Sequence, residues 1–139
     1  MPSDGGFELL EHTADLGIHA WGPAAPEAFE HAAHALTEVM GVRVPGPGRR
    51  RVVKVRAGDR AAVLVAFLNE LIWLHETESK GFAAIDVIAV SPNDLVAEAE
   101  LAPLPDAPEG IGVKAATYHQ LRVESRPGGG VDVRVFLDV

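Results

Sequence analysis

Cysteine is absent from this 139-residue chain. That excludes disulfides, thiolate metal centres and a cysteine nucleophile, and it suits a reducing compartment, so a cytoplasmic protein is expected. No uncharged apolar run reaches the roughly 20 residues a membrane helix needs, so no membrane contact is expected. Cations are also scarce: 12 Lys and Arg face 20 Asp and Glu, a formal charge of −8. Phosphate binding draws on clustered Lys and Arg, so the surface as a whole is a poor nucleic-acid grip and better suits cations or a basic partner. The opening Met1-Pro2-Ser3-Asp4-Gly5-Gly6 is short and polar, without the character of a secretion signal. Catalytic signatures are missing as well. Gly128-Gly129-Gly130 lacks the lysine and following helix of a phosphate-cradling loop and reads as a hairpin turn. Ser3, Ser79, Ser91 and Ser125 sit in no nucleophile elbow and have no evident histidine partner. Internal repeats and low-complexity blocks are absent.

What is present reads as one globular domain over residues 1–139, with a possible inserted segment at 45–56. The most loaded stretch is Glu11-His12-Thr13-Ala14-Asp15, two carboxylates and an imidazole just before an alternating run at residues 16–21 that predicts a strand. Such a cluster where a loop meets a sheet is both rigidly held and reachable, although His, Thr and Asp are also ordinary turn residues. Pro26 suits a first helical turn, and Phe29, Ala32, Ala33, Leu36, Val39 and Met40 recur at helical spacing, so a helix is expected over 26–40 with Gly41 as its stop. His31 and His34 lie one turn apart on the opposite side and read as a solvated face, since two histidines alone make a poor metal site.

Residues 49–56 predict a strand with one basic face, Arg51, Lys54 and Arg56 alternating with Val53 and Val55; the reading is a protected edge, or a contact to RNA or an acidic partner. Asp59 can cap a core helix carrying Val63, Leu64, Phe67, Leu68, Leu71, Ile72 and Leu74, with Asn69 and Glu70 as flank residues and Gly81 ending the crossing. Two strands, at 82–90 and 95–101, flank the turn Ser91-Pro92-Asn93-Asp94. A proline-rich loop at 102–112 follows and is expected to be mobile. The chain closes with alternating strands at 113–123 and 131–139. Val113, Ala115, Thr117, His119, Leu121 and Val123 are placed on one side of the first, which makes His119 a core histidine, with general-base duty as the other reading. This element order predicts an α+β two-layer sandwich, two helices on one face of a mostly antiparallel sheet.

Asp138 lies opposite the apolar row of the last strand. If that strand pairs with the first, Asp138 approaches Asp15 and His12, and the two carboxylates together with the terminal carboxylate of Val139 form a hard-oxygen set suited to calcium or magnesium. Close carboxylates resist joint ionisation, so a cation, Lys114 or a metal, is needed beside them. On spacing alone, the expectation is that Asp15, Lys114 and Asp138 do not meet.

Three stretches, Glu11-His12-Thr13-Ala14-Asp15-Leu16-Gly17-Ile18, Val113-Lys114-Ala115-Ala116-Thr117-Tyr118-His119 and Phe136-Leu137-Asp138-Val139, resemble the signature segments of the archease family. The helix at 26–40 and the apolar helix around Leu68-Asn69-Glu70-Leu71 match as well, so the resemblance spans essentially the whole chain. It implies a small α+β fold of strand-helix-strand-strand type with an inserted segment. It also implies a protein that is not an enzyme but a factor for an RtcB-type RNA ligase of tRNA splicing and RNA repair. That ligase loads a guanylate from GTP onto its own histidine and joins RNA ends; the factor promotes the guanylylation step and repeated turnover. By the resemblance the functional residues are Asp15, Lys114 and Asp138 with a bound divalent cation, calcium being expected, held by Asp15, Asp138 and Val139. His12 and His119 are supporting residues, and RNA is met only through the ligase. Two other classes stay open: a stand-alone metal-dependent phosphoesterase built on Asp15, Asp138 and His119, and a chaperone-like interaction module using the face at 49–56.

Overall fold

The structure is a computed structural model that describes residues 5–11, 15–105 and 107–139. Strands β1 (Gly6–Glu11) and β2 (Asp15–Gly22) pair antiparallel, with Glu11 ending the first and Asp15 opening the second. Helix α1 (Ala25–Met40) follows, then β3 (Arg49–Arg56), helix α2 (Arg60–Glu78), the hairpin β4 (Lys80–Val90) and β5 (Asp94–Pro103), and the hairpin β6 (Ala115–Ser125) and β7 (Val131–Asp138). The α+β class is the expected one. The strands, however, divide between two antiparallel sheets: β1-β2-β7-β6 with four strands and β3-β5-β4 with three. β1 was not anticipated, because Phe7, Leu9 and Leu10 are too short an apolar pattern to separate from a polar N-terminal run.

Each helix serves both sheets. α1 lies on β2 and β4, and α2 on β6 and β3. The shared layer between helices and sheets is the core, with Ile18, Phe29, Leu36, Leu64, Phe67, Leu68, Leu71, Leu74, Leu95 and Leu137 all essentially removed from solvent. Burying one such side chain stabilises by roughly 1.5–3 kcal/mol. The helix ends follow the sequence closely. Asp59 accepts a hydrogen bond from the Ala62 N–H at 2.8 Å, and Pro26 occupies the first turn of α1. Gly41 takes a left-handed φ of 68°, from which its N–H and that of Val42 return to the last carbonyls of α1. α2 instead stops at Ser79, itself left-handed at φ 55°, and Gly81 lies in β4.

Three further expectations are corrected. In β3 Arg51 shares the inward side with Val53 and Val55, and reaches Glu78 of α2; Arg50, Val52, Lys54 and Arg56 form the outward side. The segment before β6 is tied down: Ile111 N–H donates to Val39 O at 2.8 Å, and Gly110 packs directly against the backbone of Gly41. The alternation read along 113–123 is broken by a bulge. Thr117 pairs with Phe136 and Arg122 with Arg134, so four residues of β6 stand against one of β7, and Gln120 adopts a φ of 50°. The bulge switches the inward parity. Ala116 is buried ahead of it, whereas beyond it Leu121 and Val123 pack on the core.

Candidate functional site: an acidic sheet end

β2 and β7 alternate strictly. Leu16, Ile18 and Ala20 face the core with Val133, Val135 and Leu137, which sends Asp15, Gly17, His19 and Trp21 outward together with Asp132, Arg134, Phe136 and Asp138. The register makes Asp15 the direct partner of Asp138, and Asp138 the direct partner of Ala115 in β6. Both carboxylates are thus on one face at one end of the sheet. Lys114, immediately before β6, is exposed and donates its backbone N–H to Asp138 O at 2.8 Å. Asp15 in β2, Asp138 in β7 and Lys114 just ahead of β6 are therefore neighbours along the backbone at this sheet end. Val139, 40% exposed, continues from Asp138. His12, with Thr13 and Ala14, lies outside the described residues.

His119 is corrected from a core histidine to an exposed one. The bulge carries it to the outer face, where its ring meets Phe136 edge-on at 6.0 Å between centroids. Thr117 ties the bulge down: its hydroxyl donates to Phe136 O at 3.0 Å and accepts from His119 N–H at 3.3 Å. Phe136 in turn stands over Gly17, its register partner; a Cβ there would come within 2.8 Å of the ring.

One residue of this scaffold escaped the sequence reading. Asn69 reads in sequence as a flank residue of α2, but its amide grips the edge of β6, accepting from Ala116 N–H at 2.8 Å and donating to Ala116 O at 3.3 Å. It replaces a neighbouring strand two residues from Lys114. The available signal was an amide in the middle of the widest apolar stripe. Farther along the outer face, His19 is clasped between Glu8 at 2.6 Å and Asp132 at 2.8 Å, and Arg126 joins Asp132 at 3.3 Å.

The donors present at the acidic end are carboxylate and main-chain oxygens, which fit a hard divalent cation and not a thiophilic one. Among the described residues no three His, Asp or Glu side chains converge as a complete ligand cage. Asp15 and Asp138 with a main-chain oxygen of Val139 would hold such an ion, and water or a partner's groups would fill its remaining positions. When bound it would supply positive charge between two carboxylates otherwise set against each other.

Fold and site together define a small α+β protein with two antiparallel sheets and a pair of register-matched carboxylates at one sheet end. Comparison with known proteins specifies it. Residues 7–139 match the model of the archease protein family. The chain is 37% identical over 130 residues to protein archease of Thermococcus kodakarensis, covering 88% of this chain and 91% of that one. It is 39% identical over 129 residues to protein archease of Thermococcus gammatolerans, with the same coverage of 88% and 91%. The solution structure of Methanobacterium thermoautotrophicum protein 1598 superposes with a TM-score of 0.77 at 30% identity, over 96% of this chain and 99% of that one. A Thermotoga maritima archease, described as a possible chaperone, shares the fold with a TM-score of 0.66 at 22% identity, over 94% of each chain. The chain belongs to the archease family. No described helix is long and apolar enough to cross a membrane.

Proposed function

We propose that this protein is an accessory factor of an RtcB-type RNA ligase, promoting loading of guanylate onto the ligase's histidine and its repeated turnover. Family membership supports an activator's role. The observation that carries the finer reading is the register pair of Asp15 and Asp138, with Lys114 anchored by its backbone to Asp138. A narrow acidic end of this kind fits a cationic nucleotide pocket, and a divalent cation such as calcium held by Asp15, Asp138 and Val139 would neutralise the carboxylates on approach. In this reading the ligase binds the RNA and performs the chemistry, the protein acts in the cytoplasm, and His12 and His119 support the tip.

The test is ligase guanylylation followed with and without this protein, and with calcium present or chelated. Asp15→Ala and Asp138→Ala proteins, verified as folded, are expected to lose the stimulation. Full stimulation by both would remove the support for the acidic end. Turnover of a phosphate ester by this protein alone would instead favour a hydrolase built on Asp15, Asp138 and His119.

A further inference from the structure

The four outer strands of the two sheets are β1, β6, β3 and β4, and the helices treat three of them differently. The free edge of β4 is filled. Phe82 exchanges backbone hydrogen bonds with Val42 and Val44 at 2.8 and 3.1 Å, Glu30 of α1 accepts from Val87 N–H at 2.7 Å, and His34 faces Ile85 O at 3.4 Å. The edge of β6 is held by Asn69 of α2 at Ala116. β3 also runs beside α2, yet among the described residues no hydrogen bond reaches the backbone of residues 50–55 from any element other than β5. Its outward N–H and C=O groups are left for water.

A groove of about 520 Å³ runs along that open edge, with Arg51, Val52, Val53 and Lys54 on one side and Glu70 and Trp73 of α2 on the other. Two of its apolar residues are bare, Val52 at 52% and Trp73 at 54% exposed, above the buried Val53 and Leu74. The charged side chains of β3 itself are all cationic, with Glu70 facing them across the groove. β3 carries Arg49, Arg50, Arg51, Lys54 and Arg56, five of the chain's 12 cations. Among the described residues Arg49 and Lys54 enter no ion pair, whereas Arg50, Arg51 and Arg56 are paired with Glu98, Glu78 and Asp94.

We infer that the open edge of β3 receives an extended acidic segment of a protein partner, which adds a strand to the three-stranded sheet, setting apolar side chains against Trp73 on the inward side and acidic ones beside Lys54 on the outward side. Backbone pairing supplies the attraction that an unpaired edge offers to a strand and to no other ligand. The cations supply the selection. A second copy of β3 would set its own Arg49 and Lys54, outside any ion pair among the described residues, against the same two cations, so self-pairing is disfavoured, while a segment of opposite charge is drawn in. This surface lies on the sheet that does not contain Asp15 and Asp138, and the inference is independent of how the acidic end works.

The experiment uses the full chain, isotopically labelled, titrated with three probes: a blocked synthetic peptide alternating glutamate with valine, the same peptide with lysine in place of glutamate, and oligouridylate. The glutamate peptide is expected to shift the Trp73 indole N–H signal and to slow amide exchange at alternate residues of 50–55 by on the order of tenfold, the mark of new backbone hydrogen bonds. Lys54→Glu and Trp73→Ala, both at exposed positions, should each weaken it by on the order of tenfold. Equal binding of the two peptides, binding without protection of the β3 amides, or binding of oligouridylate in place of peptide would each overturn the inference, the last by making the face a nucleic-acid surface.

Discussion

The side chain of Asn69 acts as a strand for Ala116, taking its N–H and giving to its C=O from the middle of α2. Both groups belong to a buried residue, so they cannot turn to water if the amide is lost. Asn69→Ala is therefore expected to cost about 1–3 kcal/mol, the range for stranding a buried polar group. Asn69→Asp, which keeps an acceptor for the N–H, should retain part of it. Urea unfolding at unchanged slope measures both. Because Ala116 lies two residues from Lys114, stimulation of the ligase should fall in the same order as stability.

Gly17 is required by a neighbour and not by its own backbone angles. A Cβ at this position would lie 2.8 Å from the Phe136 ring and 3.0 Å from Leu10 Cβ. Phe136 also meets the His119 ring edge-on and is 6% exposed, so its ring has little room to withdraw. Gly17→Ala should lower stability by about 1–3 kcal/mol, the usual penalty of overpacking. Adding Phe136→Leu should recover part of the loss, so that the double variant is more stable than the two single effects predict by addition. Thermal unfolding of the four proteins in the cycle checks this.

The local signals in the sequence were sound where they depended on neighbours along the chain. Asp59, Pro26 and Gly41 mark helix ends through their own caps and dihedrals, and the alternation of Val131, Val133, Val135 and Leu137 set the outward side of Asp138 correctly. They failed where a distant partner decides. The bulge at 118–121 carries no glycine or proline, so nothing local warned that His119 would leave the apolar row; its φ at Gln120 is sustained by the Thr117 hydroxyl and the pairing with β7. The split into two sheets is likewise a matter of which hairpin meets which, and the role of Asn69 exists only because β6 lies beside α2. The three functional candidates were legible as segments, through resemblance, and their meeting point came from register alone.

His31 gives a pH dependence of definite sign. Burial first, and the neighbouring His34 second, push its imidazole below the ordinary 6.5, against opposing pulls from Glu30 and Glu27. Well above pH 6.5 neither the folded nor the unfolded chain holds this proton, and His31 has no effect on the slope. As pH falls below that value the unfolded chain binds the proton first, so stability declines until the folded state protonates too, and then levels. His31→Gln should flatten this part of the stability profile. The check is the urea midpoint of both proteins across a pH series spanning the imidazole range.

The acidic end should also be a stability liability. Asp15 and Asp138 are directly opposed on one face, and like charges so placed in an antiparallel pair are destabilising, on a scale of roughly 0.2–1 kcal/mol for such cross-strand contacts. Asp138→Asn is accordingly expected to raise stability by about that amount at low ionic strength without divalent cation, with the gain shrinking as salt screens the pair. The same variant should lose ligase stimulation. Calcium should reverse the ranking: a ligand at a hundredfold excess over its Kd adds about 2.7 kcal/mol to the state that binds it, so the parent protein should melt at a higher temperature with calcium while the asparagine variant does not move. Paired melting curves with and without calcium decide the point, since a variant that gains nothing in stability without the ion, or still responds to the ion, would separate the two carboxylates from any shared cation.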